Sequence, residues 1–246
     1  MTANQSIAVE FKQVMKSFGT KCVLNDVSFQ IGQGQALCLL GRSGTGKSVT
    51  LKLIMALMRP DSGEVCVDQD NVVGMGEQRL SLVRKKLGYL FQDAALFDSL
   101  TLYENLALPL SRLTKKSKDE IDDVIRRVLA DVGLGSDGAK YPSALSGGMK
   151  KRAGLARALV LEPKILLADE PSSGLDRITA SEIDELLRRR KTEHGTALII
   201  VTHDVHGARR VADRIAVLDK GNVVAFGSVD EVSQSDNDVA RRLITE

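Results

Sequence analysis

Hydrophobic and polar positions change period several times along this chain, and each change marks an element. Near the start, "SIAVEF" and "CVLNDVSFQI" are short β-like runs with a turn placed near Gly19. "QALCLL" is apolar without alternation, which suits a parallel strand buried on both faces. It enters a Gly-rich turn and then an apolar helix that Pro60 should stop. "KLGYLF" is another short strand. From Ser117 the pattern turns helical: Ile121, Val124, Ile125, Val128, Leu129 and Val132 recur at the helical period. Ser117 and Glu120 form a capping box at its start, and Gly133 suits its C-terminal cap. A second helix follows Ser146 and carries "RAGLARALVL". "KILLADE" and "TALIIVTHD" predict two more buried strands, joined by the helix "ASEIDELLRRRKT", and "RIAVLDKGNVVAFG" predicts a late hairpin.

One stretch fits neither period. "FQDAALFDSLTLYENLALPL", Phe91 to Leu110, holds Phe, Leu and Ala interrupted by Asp93, Asp98 and Ser99, and so predicts a loop unusually rich in apolar side chains. The pattern as a whole predicts an α/β sheet core interrupted by a mostly helical insertion at residues 93–160.

Composition narrows this picture. With 246 residues the chain makes one large domain or two small ones, and 43% apolar residues suffice for a substantial core. A net charge of +2 argues against broad nucleic-acid binding. No stretch reaches the roughly 18 apolar residues of a membrane span. The start, "MTANQSIAVEF", lacks the basic and apolar regions of a signal peptide. Cys22, Cys38 and Cys66 are odd in number, lack metal-ligand spacing and read as reduced cysteines of a cytosolic protein, with Cys38 in the core.

The chemistry concentrates in a few places. Gly41-Arg42-Ser43-Gly44-Thr45-Gly46-Lys47-Ser48 matches G-x-x-x-x-G-K-[ST] between a buried strand and a helix. Its glycines let backbone N–H groups converge on phosphate oxygens, and the helix N-terminus favours the same anion. Lys47 supplies a point charge for the β- and γ-phosphates, and Ser48 a hydroxyl for Mg²⁺. Asp169 and Glu170 end a buried strand, where open α/β sheets bind ligands. A carboxylate there suits Mg²⁺ and its neighbour suits a general base. His203 ends another strand and, taken alone, is more often structural than catalytic.

Together these motifs resemble, in order and over almost the whole chain, the ATP-binding subunit of an ABC transporter. "GRSGTGKSV", Gly41 to Val49, resembles the Walker A loop, and Gln92 the Q-loop glutamine that senses Mg²⁺. "LSGGM", Leu145 to Met149, resembles the signature motif that separates this family from other P-loop proteins. "ILLADE" resembles Walker B, with Asp169 on the metal and Glu170 as catalytic base; "SSGLD", Ser172 to Asp176, resembles the D-loop. His203 resembles the switch histidine on the γ-phosphate, and Phe18 the aromatic that stacks on adenine, although a Phe beside Gly19 could also be core. The resemblance implies a single ABC ATPase domain, with a RecA-like P-loop core at 1–92 and 161–246, an N-terminal antiparallel β subdomain and a helical subdomain at 93–160. It implies ATP and Mg²⁺, the metal held by Ser48, Gln92 and Asp169. It also implies a head-to-tail dimer in which Ser146, Gly147 and Gly148 of one copy cap the γ-phosphate held by Lys47 of the other. Ser146 is a natural N-cap, so that end is a second anion site. Lys150, Lys151 and Arg152 read as a solvated helix face.

The family docks a cytoplasmic helix of its membrane permease just beyond the Q-loop glutamine. Phe91, Ala95, Leu96, Phe97, Leu100 and Tyr103 therefore either line such a groove or fill the insertion's own core. The stretch, with "LSGGMKKRAGLARAL" and "QSDNDVARRLI", is similar to ATPases of Mla/Mkl-type lipid transporters, which work with Mce-domain proteins. That similarity implies a peripheral subunit on the cytoplasmic face of the inner membrane, powering phospholipid transport and binding no nucleic acid. The alternatives are the ATPase of a polar amino acid importer or a lipoprotein-release complex and, behind these, a soluble non-transport ABC protein.

Overall fold

The computed structural model describes residues 6–245. In chain order its elements are β1 (Ile7–Phe18), β2 (Lys21–Gly32), β3 (Ala36–Leu40), α1 (Lys47–Ile54), β4 (Ser62–Val67), β5 (Asp70–Asn71), α2 (Glu77–Arg84) and β6 (Leu87–Leu90). Next come α3 (Leu102–Leu113), α4 (Lys118–Asp131), a short 3-10 turn (Pro142–Ala144), α5 (Gly147–Leu159), β7 (Ile165–Asp169) and α6 (Arg177–His194). The chain closes with β8 (Ala197–Thr202), α7 (Val205–Val211), β9 (Arg214–Asp219), β10 (Asn222–Gly227), α8 (Val229–Ser233) and α9 (Asp238–Thr245).

These strands build two sheets. The first is antiparallel, in the order β2-β1-β4-β5, with Phe11 opposite Phe29 and their rings stacked at 4.5 Å. The second runs β10-β9-β3-β8-β7-β6; all its strands are parallel except the edge strand β10. Its central strands show why their sequences lack alternation. Leu37, Leu39, Ile165, Leu167, Ile199 and Val201 face a core shared with α1 and the first sheet. Cys38, Leu40, Leu166, Ala168, Leu198 and Ile200 face the opposite layer, with Ile183 and Leu187 of α6 and Val211 of α7. Both faces are covered, so the strands are apolar at every position before their last residues.

A third apolar cluster unites α3, α4 and α5 through Leu102, Leu106, Leu110, Ile125, Leu129, Ala153 and Ala156. The structure corrects the sequence here. Leu102–Leu113 is a helix rather than loop, opened by a capping box in which Thr101 Oγ1 accepts from Glu104 N and the Glu104 carboxylate accepts from Thr101 N. Its buried Leu102, Leu106 and Leu110 do follow a helical stripe, but apolar residues on its other faces and Pro109 inside it hide the period. The helix α4 forms as its capping box predicts, with Ser117 and Glu120 reciprocally bonded and Gly133 at φ 72° just beyond its end. The helix α1 stops short of Pro60. Ala56 N donates to Leu53 O and Leu57 N to Lys52 O, the crossed pair that closes a helix, with Ala56 at φ 50° where glycine usually signals the stop. The hairpin near Gly19, the strands of "ALCLL", "LGYL", "ILLAD" and "ALIIVT", and the late hairpin stand where the pattern puts them. All three cysteines are free and Cys38 is fully buried.

Ile125 is 1% exposed at the centre of the third cluster. Ile125→Ala should therefore lower the unfolding free energy by about 2–5 kcal/mol, read from urea denaturation. A loss below about 0.5 kcal/mol would mean that α4 does not pack as described.

Candidate functional site

Strands β3, β7 and β8 are neighbours, and the segments leaving them meet at one end of the sheet. Leu40 is level with Thr202, and Asp169 with Val201. Ser43, Gly44, Gly46, Lys47, Ser48, Val49, Gln92, Asp169, Glu170 and His203 line one open cleft of about 440 Å³ beyond those ends, joined by Val23 and Val201. Gly41, Arg42 and Thr45 complete the loop that forms its floor. The loop sits against the hairpin of the first sheet: a Cβ on Gly46 would lie 2.6 Å from Leu24 Cδ2 and 2.8 Å from Val23 O, and its φ is 104°. Only glycine fits both constraints. As N-cap of α1, Gly46 brings no side chain to the helix's first N–H groups, which stay available to an anion.

Lys47 is 8% exposed and donates to the carbonyls of Gly41 at 2.7 Å and Arg42 at 3.1 Å. Burial lowers its pKa, while the Glu170 and Asp169 carboxylates pull the other way. Asp169 Oδ1 accepts from Ser48 Oγ at 3.4 Å, and its Oδ2 from Tyr89 OH at 3.4 Å. Burial raises the Asp169 pKa, the neighbouring Glu170 charge adds to this, and the hydrogen bonds from Ser48 and Tyr89 oppose it. Burial likewise pushes the Tyr89 phenol up, with the Asp169 charge adding to it. Glu170 takes a left-handed backbone, φ 48°, rare for its residue type. Its Oε2 accepts from Thr202 Oγ1 at 3.2 Å and His203 N at 3.4 Å, and lies 2.9 Å from His203 Nδ1. The carboxylate is thus aimed by the end of β8.

The oxygens of Ser48, Asp169 and Gln92 fit a hard divalent cation. Among the described residues no group of three His, Cys, Asp or Glu could hold a metal by itself. That is the donor set expected of Mg²⁺, which binds through one or two protein oxygens plus substrate phosphates.

Phe18 and the signature residues stand apart from this cleft. Phe18 closes β1, is 47% exposed and carries the Lys16 ammonium 5.6 Å above its ring. Ser146 caps α5, accepting from Met149 N at 3.3 Å, beside Gly147 and Gly148. The three-residue basic run is not a solvated face. Lys150 is exposed and Arg152 pairs with Glu182, but Lys151 is 7% exposed and donates to Gln92 O, Glu170 O and Ser173 Oγ. Lys151 shares its helix face with the buried Leu155 and Ala158, spaced i, i+4 and i+7. That register is the signal that could have found it. Tyr89 and Thr202 also escaped the sequence reading; Tyr89 is level with Leu167, two residues before the acidic pair.

Beyond Gln92 the chain is tightly held. Ala94 and Ala95 are both left-handed, at φ 59° and 50°. Arg157 Nη1 donates to Ala95 O and its guanidinium lies 5.9 Å from the Phe97 ring. Gly154 lets α5 approach, since a Cβ there would meet Ala94 Cβ at 2.8 Å. Fully buried Asn105 accepts from Phe97 N and donates to the carbonyls of Phe97, Leu100 and Thr101. With the backbone so fixed, Phe91, Ala95 and Phe97 are exposed and Leu96, Leu100 and Tyr103 are half-buried. Leu96 and Tyr103 pack against the α3–α5 cluster, whereas Phe91, Ala95 and Phe97 face outward.

The family model described as ABC transporter matches residues 24–173. The chain belongs to the ABC transporter ATPases. It is 43% identical over 238 residues to the probable ribonucleotide transport ATP-binding protein mkl of Mycobacterium leprae, covering 97% of this chain and 69% of that one. It is 40% identical over 240 residues to the methionine import ATP-binding protein MetN of Leifsonia xyli, covering 96% and 70%. The ABC chain thus spans about two thirds of the length of these relatives. Among solved structures, the dimeric ATP-binding cassette MJ0796 bound to ADP and phosphate in a post-hydrolysis state superposes with a TM-score of 0.82 at 33% identity, covering 89% of this chain and 98% of that one. The cbiO1 protein of Clostridium perfringens, part of the transporter complex cbiONQ, gives 0.85 at 26% identity, covering 97% and 99%. No helix among the described residues of this ABC ATPase is long and apolar enough to cross a membrane.

The contacts at Gly46 make a direct test of the cleft floor. Gly46→Ala in this ATPase should cost about 1–3 kcal/mol of stability, from the positive φ and the contact with β2. A melting temperature equal to the parent's would show that β2 does not cover the loop.

Proposed function

We propose that this chain is the ATP-hydrolysing subunit of an envelope lipid transporter, acting as a head-to-tail dimer on a separate membrane permease. The observation that carries the catalytic reading is the convergence of Lys47, Asp169, Glu170 and His203 on one cleft floored by a helix N-terminus. Lys47 and the amides at the start of α1 bind the β- and γ-phosphates of ATP. Ser48 and Asp169, with Gln92 on the same wall, would hold Mg²⁺, which when bound neutralises charge on those phosphates. Glu170, oriented by Thr202 and the His203 backbone, takes the proton of the attacking water. His203, 71% exposed at its side chain, points its imidazole into the same space and contacts the γ-phosphate. Phe18 stacks on the adenine.

The second copy follows from the signature. Ser146, Gly147 and Gly148 offer helix-start amides but do not line this chain's own cleft, so they serve the nucleotide of a partner copy. Dimers are described for the MJ0796 cassette, which supports this arrangement. We also infer that residues 1–92 and 161–246 form the ATP-binding core, and that 93–160 form a helical subdomain turning about Gln92.

The outward Phe91 and Phe97 are the docking surface for a cytoplasmic helix of the permease. On this reading the chain works at the cytoplasmic face of the inner membrane. The lipid cargo, with Mce-domain partners, rests on the motif similarity at 91–110 and 145–159 and on the likeness to mkl, whose own name gives ribonucleotide transport. Likeness to MetN supports a second reading, an amino-acid importer.

Capture of the tagged chain from detergent-solubilised native membranes, with mass spectrometry of what it retains, separates the two readings. A permease with an Mce-domain protein establishes lipid transport; an amino-acid permease overturns it. Phe97→Asp should abolish that capture while leaving the melting temperature unchanged, and a collapsed fold would place Phe97 in the core. Glu170→Gln should keep ATP affinity, lower steady-state hydrolysis by roughly 100-fold or more, and accumulate an ATP-bound dimer in size-exclusion chromatography. Hydrolysis at the parent rate would remove Glu170 as the base.

A further inference from the structure

Lys151 is a buried cation with no carboxylate in hydrogen-bond contact. Its three hydrogen bonds run to Gln92 O, to Glu170 O at 2.9 Å and to Ser173 Oγ at 3.2 Å, and all three acceptors are neutral. An ammonium has three donors, so the set is saturated. Burying an ammonium is costly, and nothing in the packing of α5 requires one: its neighbours on that face are Leu155 and Ala158. What the three acceptors share is position. Gln92 opens the segment that leads into α3, Glu170 carries the carboxylate of the proposed base, and Ser173 lies in the turn just after it. Ser173 Oγ also donates to Glu170 O at 3.0 Å, so two side chains converge on that one carbonyl.

The Glu170 carbonyl matters because the residue is left-handed. A Glu at φ 48° persists only where its surroundings hold it, and that backbone sets where its carboxylate points. We propose that Lys151 is a positioning residue for ATP hydrolysis, fastening the backbones of Gln92 and Glu170 to the first turns of the helix that begins at Ser146. This rests on the reading of Glu170 as the base. Through Lys151, five residues beyond Ser146 on one helix, the fastening also ties the cap that serves a partner's nucleotide to this chain's own base.

The test uses the full chain and steady-state ATP hydrolysis in Mg²⁺, with kcat and the KM for ATP measured separately and melting temperature alongside. Lys151→Met keeps the aliphatic stem and removes the donors. It should lower kcat by about 10- to 100-fold, the cost of a misplaced catalytic group, with KM within about threefold of the parent. Lys151→Arg keeps the charge, but its planar fork suits two acceptors rather than three, so its kcat should fall roughly 3- to 10-fold. In a Glu170→Gln background, Lys151→Met should lower the residual rate by less than about threefold, because groups acting as one unit are not additive.

A folded Lys151→Met enzyme with kcat within twofold of the parent overturns the proposal. So does a variant whose kcat, KM and melting temperature all deteriorate together and equally in Met and Arg, which marks a purely structural lysine. Should the Met variant not fold, an Arg variant at the parent kcat overturns it equally. The two readings fail separately: a Glu170→Gln enzyme at the parent rate removes the base, whereas an inactive Glu170→Gln beside a fully active Lys151→Met removes only Lys151.

Discussion

Covering both faces of the parallel sheet is the constraint on which the remaining structure depends. A strand buried on both sides has no room for a charged side chain, so β3, β7 and β8 are apolar up to their last residues, and polar chemistry can begin only at their ends. Because these strands are adjacent and in register, their stopping points coincide. Leu40 gives way to the phosphate loop, Ala168 to Asp169 and Glu170, and Val201 to Thr202 and His203, all on one edge. The cleft is therefore a consequence of strand order rather than of any single loop, and its members reach each other although they lie far apart in sequence.

The antiparallel sheet adds a lid from behind. The hairpin of β1 and β2 presses Val23 and Leu24 against Gly46, so the phosphate loop is clamped between two sheets. On the other side α5 packs Leu155, Ala158 and Leu159 against the sheet, Lys151 adds hydrogen bonds to the carbonyls of Gln92 and Glu170, and Arg157 holds those of Ala94 and Ala95. Cations bonded to carbonyls hold a backbone path in place without specifying side chains along it. Phe91, Ala95 and Phe97 are left facing outward, and Asn105, buried with every polar atom bonded, holds the backbone from Phe97 to Thr101 in place.

Legibility in the sequence obeyed the same physics. The buried strands were readable because two-sided burial leaves an unbroken apolar run, and α4 because its polar face is wide enough to expose the period. The phosphate loop, the acidic pair and His203 were readable because each lies beside such a strand. The hidden elements had weak or masked local signatures. The helix α3 carries apolar residues on more than one face, α1 ends on an alanine where glycine would have announced the turn, and the short β4, β5 and α2 arise from tertiary contact. Residue type alone puts Lys151 on a solvated face, as a lysine in a basic run, whereas its register with Leu155 and Ala158 puts it inside. Tyr89 and Thr202 act on the site through a neighbouring strand, which only the strand order reveals.

The choice of lysine at that point has its own logic. The acceptors come from three segments: the stretch after β6, the end of β7 and the turn after it. A single nitrogen with three tetrahedrally disposed donors can meet all of them, whereas a guanidinium fork is planar and a glutamine amide has only two donors. Burial lowers the lysine's pKa, and the carboxylates of Asp93, Glu170 and Asp169 work against that, which favours the charged form carrying all three protons. The same acidic cluster that suits a divalent cation in the cleft thus also stabilises the cation beneath it. The site is built on two positive charges, Lys47 facing the phosphates and Lys151 facing the backbone, with the carboxylates between them.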